Sequence, residues 1–464
     1  MRVVLVSTYE LGHQPFGLAS PAAWLSQAAV EVTCLDLAVQ RLDEDAVSAA
    51  DLVAFYLPMH TATRLAVPLI ERVRQLNKGA HLACYGLYAP MNETYLRRLG
   101  VDTILGGEYE TALTALAKRL SLNGSAPRTD GQPEPSISLA RQHFITPRRA
   151  DLPPLSQYAQ LNMGDNQNRI VGYTEASRGC KHTCRHCPVV PVYEGMFRVV
   201  QHDVVLDDIR QQVRAGAEHI SFGDPDFFNG IGHALPIVRS LHTEFPQLTY
   251  DVTIKIEHLL RHAEHLPTLR ETGCLFVTSA LESIDETVLT RLDKGHTKED
   301  IIRVVDYFNQ VGLTLNPTLV TFTPWTTLDG YRQLLAFLDH YDLVEKMASI
   351  HLAIRLLIPA GSKLLELPEV GALVGSFDER LLTYPWRNSD PSVDRLHQEV
   401  LALVETGVAR NMERRKIFEQ VAALAGLPIR EANGRQPSAP IPYLSEPWYC
   451  CAEPTEGQIV PLKM

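Results

Sequence analysis

Short, nearly uninterrupted apolar runs alternate with amphipathic stretches along much of this 464-residue chain, and that alternation restricts its fold more than any other feature. In a first pass, Val3–Val6, Val32–Leu37, Leu52–Tyr56, His81–Tyr85 and Thr103–Leu105 read as strands separated by helical stretches. Strands that are apolar on both faces and separated by helices belong to a parallel sheet wound on both sides, of the Rossmann or flavodoxin kind. Ligands of such sheets bind beyond the carboxyl ends of the strands. Those ends carry Thr8–Gly17, Leu57–Thr61, Tyr85–Met91 and Gly106–Glu110. No Gly-x-Gly-x-x-Gly follows the first strand, so the dinucleotide fingerprint is absent.

The alternation resumes at Val171. Val171–Glu175, His219–Phe222, Asp251–Ile256, Leu275–Ala280, Thr314–Phe322 and Ser349–Leu357 read as six strands with helices between them, which predicts an incomplete or full α/β barrel. The chain therefore divides into a front domain (1–120), a Gly-, Pro- and Ser-rich linker (121–170), a barrel (171–364) and a C-terminal region (365–464). In the last part Val393–Ala425 is helical. Asn433–Pro447, with prolines at 437, 440, 442 and 447, reads as extended and able to reach about 45–50 Å.

Composition narrows the partners. Lys and Arg total 43 against 54 Asp and Glu, a net charge of −11 that argues against nucleic acid or an anionic membrane as the main partner. No apolar run is long enough to span a bilayer, and the first residues lack a signal-peptide pattern, so a cytoplasmic protein is expected.

Eight cysteines are unevenly placed. Cys34, Cys84 and Cys274 stand alone in apolar runs and read as buried free thiols. Cys180, Cys184 and Cys187 form a C-x3-C-x2-C loop directly after a strand. Three thiolates from one loop can hold three irons of a 4Fe–4S cluster and leave the fourth open to another ligand. A structural zinc site completed by His182 or His186 is the competing reading.

This triplet at the end of a first barrel strand resembles the signature of the radical S-adenosylmethionine (SAM) superfamily. The resemblance implies a partial (β/α)6 barrel, a 4Fe–4S cluster on Cys180, Cys184 and Cys187, and SAM on the open iron. Further roles follow position by position. His186, before the third cysteine, stands where an often aromatic residue meets adenine. Asp224, in Gly223-Asp224-Pro225-Asp226, would support the methionine amine. Ser279 and Glu282 would contact the ribose. Arg355, on the sixth strand, could grip a ligand carboxylate or form a structural ion pair with a barrel acid with equal ease.

A doubly wound sheet ahead of such a barrel resembles the cobalamin-binding subclass, as does Gly106-Gly107-Glu108-Tyr109-Glu110. The Asp-x-His-x-x-Gly motif that supplies a lower-ligand histidine is absent, and neither His13 nor His60 has that frame. The ending Trp448-Tyr449-Cys450-Cys451-Ala452-Glu453-Pro454, with Lys294-Gly295-His296-Thr297 and Thr323-Pro324-Trp325-Thr326-Thr327, resembles a radical SAM family named for its CUAEP or CCAEP tail. Vicinal Cys450 and Cys451 suit soft elements or thiol redox chemistry and are candidate catalytic residues. The expected activity is cobalamin-assisted methyl transfer to a small molecule or peptide, with a flavodoxin or ferredoxin as electron donor. The alternatives are a cobalamin-free radical enzyme handling sulfur, selenium or arsenic through the tail cysteines, a maturase acting on another protein, and a non-catalytic metal or redox sensor.

Overall fold

A computed structural model describes residues 1–123, 136–164, 167–427, 442–446, 452–454 and 459. The front sheet consists of β1 (Arg2–Ser7), β2 (Glu31–Asp36), β3 (Leu52–Tyr56), β4 (His81–Tyr85), β5 (Thr103–Gly107) and a short β6 (Ile137–Ser138). They run parallel in the order β2-β1-β3-β4-β5-β6. Along β1, Val4 and Val6 enter one apolar cluster while Val3 and Leu5 enter another. Helices cover both faces, as the continuous apolar runs require.

The linker contributes β7 (Gln160–Asn162), which leads into β8 (Asn168–Thr174). A hairpin of β9 (Ser177–Gly179) and β10 (Phe197–Val199) flanks the cysteine loop. The remaining barrel strands are β11 (His219–Phe222), β12 (Thr249–Thr253), β13 (Cys274–Glu282) and β14 (Thr314–Leu319). Strands β8, β11, β12, β13 and β14 are parallel neighbours in a curled sheet. Beyond β8 the sheet is extended antiparallel by β7 and by β15 (Tyr443–Leu444). The barrel is therefore partial.

The sixth barrel strand differs from expectation. Ser349–Leu352 is a 3₁₀ turn, and only a single parallel bridge joins Phe322 to Arg355. On its other side Leu356 bridges antiparallel to Ala452 of the tail. Apolar content identified the segment as buried, but burial alone does not separate a strand from a packed turn. Cys34, Cys84 and Cys274 are buried free thiols as expected. Most of the proline stretch Asn433–Pro447 lies outside the described residues, and its 442–446 portion contains β15.

Two sequence motifs have local structural explanations. Thr297 caps the helix Lys298–Val311 in a reciprocal box with Asp300, and Thr327 caps the helix Leu328–His340. No helix among the described residues is long and apolar enough to cross a membrane.

Candidate active site

A cavity of about 790 Å³ lies where the carboxyl ends of both sheets meet. Cys180, Cys184 and Cys187 all line it. The loop that carries them is held by backbone geometry at both ends. Gly179 has φ +76°, and a Cβ there would stand 2.5 Å from the Met196 carbonyl oxygen. The Cys180 amide donates to that carbonyl at 3.1 Å, and the Cys187 amide donates to the Cys184 carbonyl at 3.1 Å. The Asn229 side chain accepts from the Lys181 amide and donates to the Gly179 carbonyl. Burial pushes the Cys180 thiol up to about 11, with Asp226 adding to the effect.

Asp224 lines the cavity and braces the entrance of this loop, accepting from the Ala176 amide at 2.9 Å and the Ser177 hydroxyl at 2.5 Å. Burial raises its carboxyl to about 7. Its neighbour Asp226 accepts from His258 Nδ1 at 2.7 Å and lies 3.5 Å from His182 Nε2. Donor atoms of His182, Asp226 and His258 lie within 4.8 Å of one another, close enough to hold a metal ion. Burial tends to raise the Asp226 carboxyl, but the two imidazoles outweigh it and hold the group below its usual range.

Across the cavity, Glu282 sits 3.1 Å from His186 Nε2 and 3.4 Å from Lys294 Nζ. Burial works against its charge, yet Lys294 and His186 prevail and hold it at about 2. It is thus a buried, ionised acceptor. Strand β13 alternates its side chains, so Thr278, Ala280 and Glu282 line the cavity while Leu281 enters the apolar core. Ser279 therefore requires correction. It is fully buried, is not among the cavity-lining residues, and its Oγ has no hydrogen-bond partner. Thr278 occupies the ligand side, where Asn316 donates to its hydroxyl at 3.1 Å.

Arg355 also stands apart from the cavity walls. It bonds Asp394 at 3.0 Å and the Trp386 carbonyl, lies 3.5 Å from Glu453, and stacks 3.6 Å from the centre of the Trp386 ring. It forms a structural ion pair, with acids of the C-terminal region rather than the barrel acid expected from the sequence. Cys450 and Cys451 lie outside the described residues. The described segments flanking them are Tyr443–Glu446, which lines the cavity, and Ala452–Pro454, whose Glu453 amide donates to the Arg355 carbonyl.

The front domain supplies Leu11, Pro58, Met59, Gly86, Leu87 and Tyr88 to the cavity wall. These apolar and backbone surfaces are joined by the polar side chains of Glu10, His13, Tyr56 and Tyr109. Of the two front-domain histidines singled out in the sequence, His13 lines the cavity and His60 does not. His13 stacks on Tyr173 at 4.6 Å, and His60 is tied to the Leu381 carbonyl away from the cavity. Burial holds both near 4. The Gly-Glu turn serves the seam between domains: Glu110 receives Arg178 at 2.7 Å and Glu108 lies at 3.4 Å.

Sequence reasoning missed Asn229 and assigned no roles to Asp226, Lys294 or Thr278. The spacing of Thr278 from Glu282 on one strand was the available signal for facing direction. Asn229 lies in a 3₁₀ turn after β11, and no local pattern marks it.

Residues 174–333 match the radical SAM superfamily. Over 181 residues the chain is 23% identical to the ribosomal protein uS12 methylthiotransferase RimO of Bacteroides thetaiotaomicron, covering 36% of this chain and 40% of the relative. The alignment thus spans about two-fifths of that relative's length. Among solved structures, the cobalamin-dependent SAM radical enzyme OxsB, with aqua-cobalamin and SAM bound, aligns at TM-score 0.70 and 14% identity. It covers 92% of this chain and 71% of that one. The radical SAM methyltransferase TsrM from Kitasatospora setae aligns at TM-score 0.59 and 18% identity over 80% of this chain and 76% of its own. These likenesses establish the fold.

Proposed function

Taking as premise that the chain is an enzyme carrying a radical SAM domain, we propose that it transfers a methyl group to a small molecule or peptide with the aid of cobalamin. The observation that carries this reading is the single cavity shared by the three loop cysteines and the carboxyl ends of the front sheet. Cys180, Cys184 and Cys187 would hold the 4Fe–4S cluster, and their number suits a cluster with one open iron. When bound, the cluster would supply the electron that opens the SAM sulfonium, and cobalamin would relay the methyl group.

The chain's own residues bind and orient. Glu282, kept ionised by Lys294 and His186, would accept from a ribose hydroxyl, with Thr278 beside it. Asp224 lines the cavity and holds the loop entrance, and it would support the methionine amine. The front wall would seat cobalamin on Leu11, Pro58, Met59, Leu87 and Tyr88, with Glu10 and His13 as polar groups beside them.

A second reading is sulfur chemistry, favoured by the methylthiotransferase relative and by the cavity-lining segment just before Cys450 and Cys451. One experiment separates the two. Anaerobic reconstitution with iron, sulfide and hydroxocobalamin, followed by desalting, should leave about four irons and one cobalt per chain. Iron without cobalt would remove the cobalamin reading and favour sulfur transfer. Loss of both would defeat the radical SAM assignment of the cysteines.

A further inference from the structure

The turn after β11 and the helix after β12 bring a second donor set together with the cysteine loop, and it contains no thiol. Asp226 opens the 3₁₀ turn Phe227–Gly230 and is buried. Its Oδ1 accepts from the Phe228 amide at 3.1 Å, which fixes the carboxylate and leaves Oδ2 to two imidazoles. His258, on the helix Ile256–Arg261, meets Oδ2 through Nδ1 at 2.7 Å. His182, from the cysteine loop, brings Nε2 to 3.5 Å from the same oxygen. The two ring centres are 4.7 Å apart and the planes are tilted by 57°, so the rings converge on the carboxylate without stacking.

Hydrogen bonding alone does not account for this arrangement. Asp226 Oδ2 has one short bond, to His258, while His182 Nε2 is buried with no hydrogen-bond partner. A buried polar atom without a partner marks a place for an ion or a ligand. The other nitrogen of His182, Nδ1, stands 3.4 Å from Glu257 Oε2, and Glu257 is itself held by Arg261 at 3.0 Å. A carboxylate behind an imidazole keeps the ring proton on the near nitrogen and frees the far one to bind metal. Two imidazoles and one carboxylate suit zinc, whereas magnesium and calcium take oxygen ligands. Three protein donors leave a fourth zinc position open. His182 and Asp226 line the cavity, so that position faces it.

We propose that His182 Nε2, Asp226 Oδ2 and His258 Nδ1 form a zinc site whose open position faces the cavity. The site uses none of the cysteines, and so differs from the cysteine-and-histidine zinc site that the sequence leaves open. It also needs no cluster. When zinc enters, the His258 ring carries its proton on Nε2 and offers the Nδ1 lone pair to the metal.

The test counts metals on the reconstituted full chain after incubation with zinc and desalting. His258→Ala and Asp226→Asn should each hold about one zinc fewer than wild type while keeping about four irons. Glu257→Gln should weaken zinc binding about tenfold through the orientation of His182. His262→Ala removes a ring that neighbours His258 but lies outside the donor set, and it should leave zinc unchanged. Equal zinc in wild type, His258→Ala and Asp226→Asn would overturn the proposal. If these variants lost iron as well, cobalt(II) would decide, added to the full chain carrying Cys180→Ala, Cys184→Ala and Cys187→Ala. The spectrum lost on adding His258→Ala to that chain should show weak visible bands of nitrogen and oxygen donors, with no thiolate-to-metal charge-transfer band. A flat difference would overturn the proposal. A wild type that takes up zinc at this site but assembles no cluster would refute only the reading of the cysteines.

Discussion

Two sites flank Gly179, one at Arg178 and one at Cys180, and they are built in opposite ways. On the seam side Arg178 is enclosed by Glu175 at 2.6 Å, Glu110 at 2.7 Å and Glu108 at 3.4 Å, with the rings of Phe16, Tyr109 and Phe144 over its guanidinium. Arg149 nearby forms a two-pronged pair with Asp208. On the cavity side, the Cys180 sulfur lies 3.9 Å from Asn229 Oδ1, and burial raises its thiol. A buried thiol raised in this way is inert as a nucleophile but becomes a thiolate when a metal replaces its proton. The seam is a finished joint that fixes the front domain against the loop. The cavity side holds paired groups too, such as Glu282 with His186 and Lys294, but these border open space.

Breaking the seam should cost the most. Arg178→Met leaves Glu110 and Glu175 buried without their cation, and urea unfolding should show a loss of about 3–5 kcal/mol. A loss below about 1 kcal/mol would mean the seam is not the joint described.

Asp36 gives a smaller, pH-dependent measure of the same seam, where it accepts from Tyr158 of the linker at 2.7 Å. Burial pushes its carboxyl from 3.8 to about 6, so the folded chain holds that proton more tightly than the unfolded one. Its contribution is present below about pH 4 and is lost as pH rises through about 6. Wild type should therefore lose on the order of 2 kcal/mol between pH 4 and 7 relative to Asp36→Asn. Parallel stability profiles for the two proteins would contradict the assignment.

On the cavity side the expected effects appear in binding. Glu282→Gln should weaken SAM about tenfold by calorimetry on the reconstituted protein, a loss of about 1.4 kcal/mol. The smallest effect is also the sharpest discriminator. Thr278→Val should weaken SAM by roughly two- to fivefold, within the range of one neutral hydrogen bond, whereas Ser279→Ala should leave affinity unchanged. The reverse result would restore Ser279 to the ligand face and require a different register for β13.

The same contrast explains what could be read in the sequence. The front strands and most barrel strands were legible because continuous apolar runs between helices admit few other folds. The cysteine loop was legible because Cys180, Cys184 and Cys187 stand within eight residues, so their proximity needs no tertiary information. Arg355 and Ser349–Leu357 were harder, since a strand and a buried 3₁₀ turn share composition and only tertiary pairing separates them. Ser279 stands on the other face of β13 from Thr278: a resemblance locates a motif to within a residue, and one residue along a strand reverses the face. The partnership of Arg178 with Glu108 and Glu110 joins residues some 70 positions apart, and no local pattern encodes it.

The central claim is that the three loop cysteines hold a cluster whose open iron meets SAM beside Glu282. Its most direct test is electron paramagnetic resonance of the reconstituted, dithionite-reduced protein before and after SAM is added, in wild type and in Cys184→Ala. The account predicts a reduced-cluster signal in wild type whose g-values shift with SAM, and loss of that signal in Cys184→Ala. A wild-type signal indifferent to SAM, or an unchanged cluster in Cys184→Ala, would contradict it.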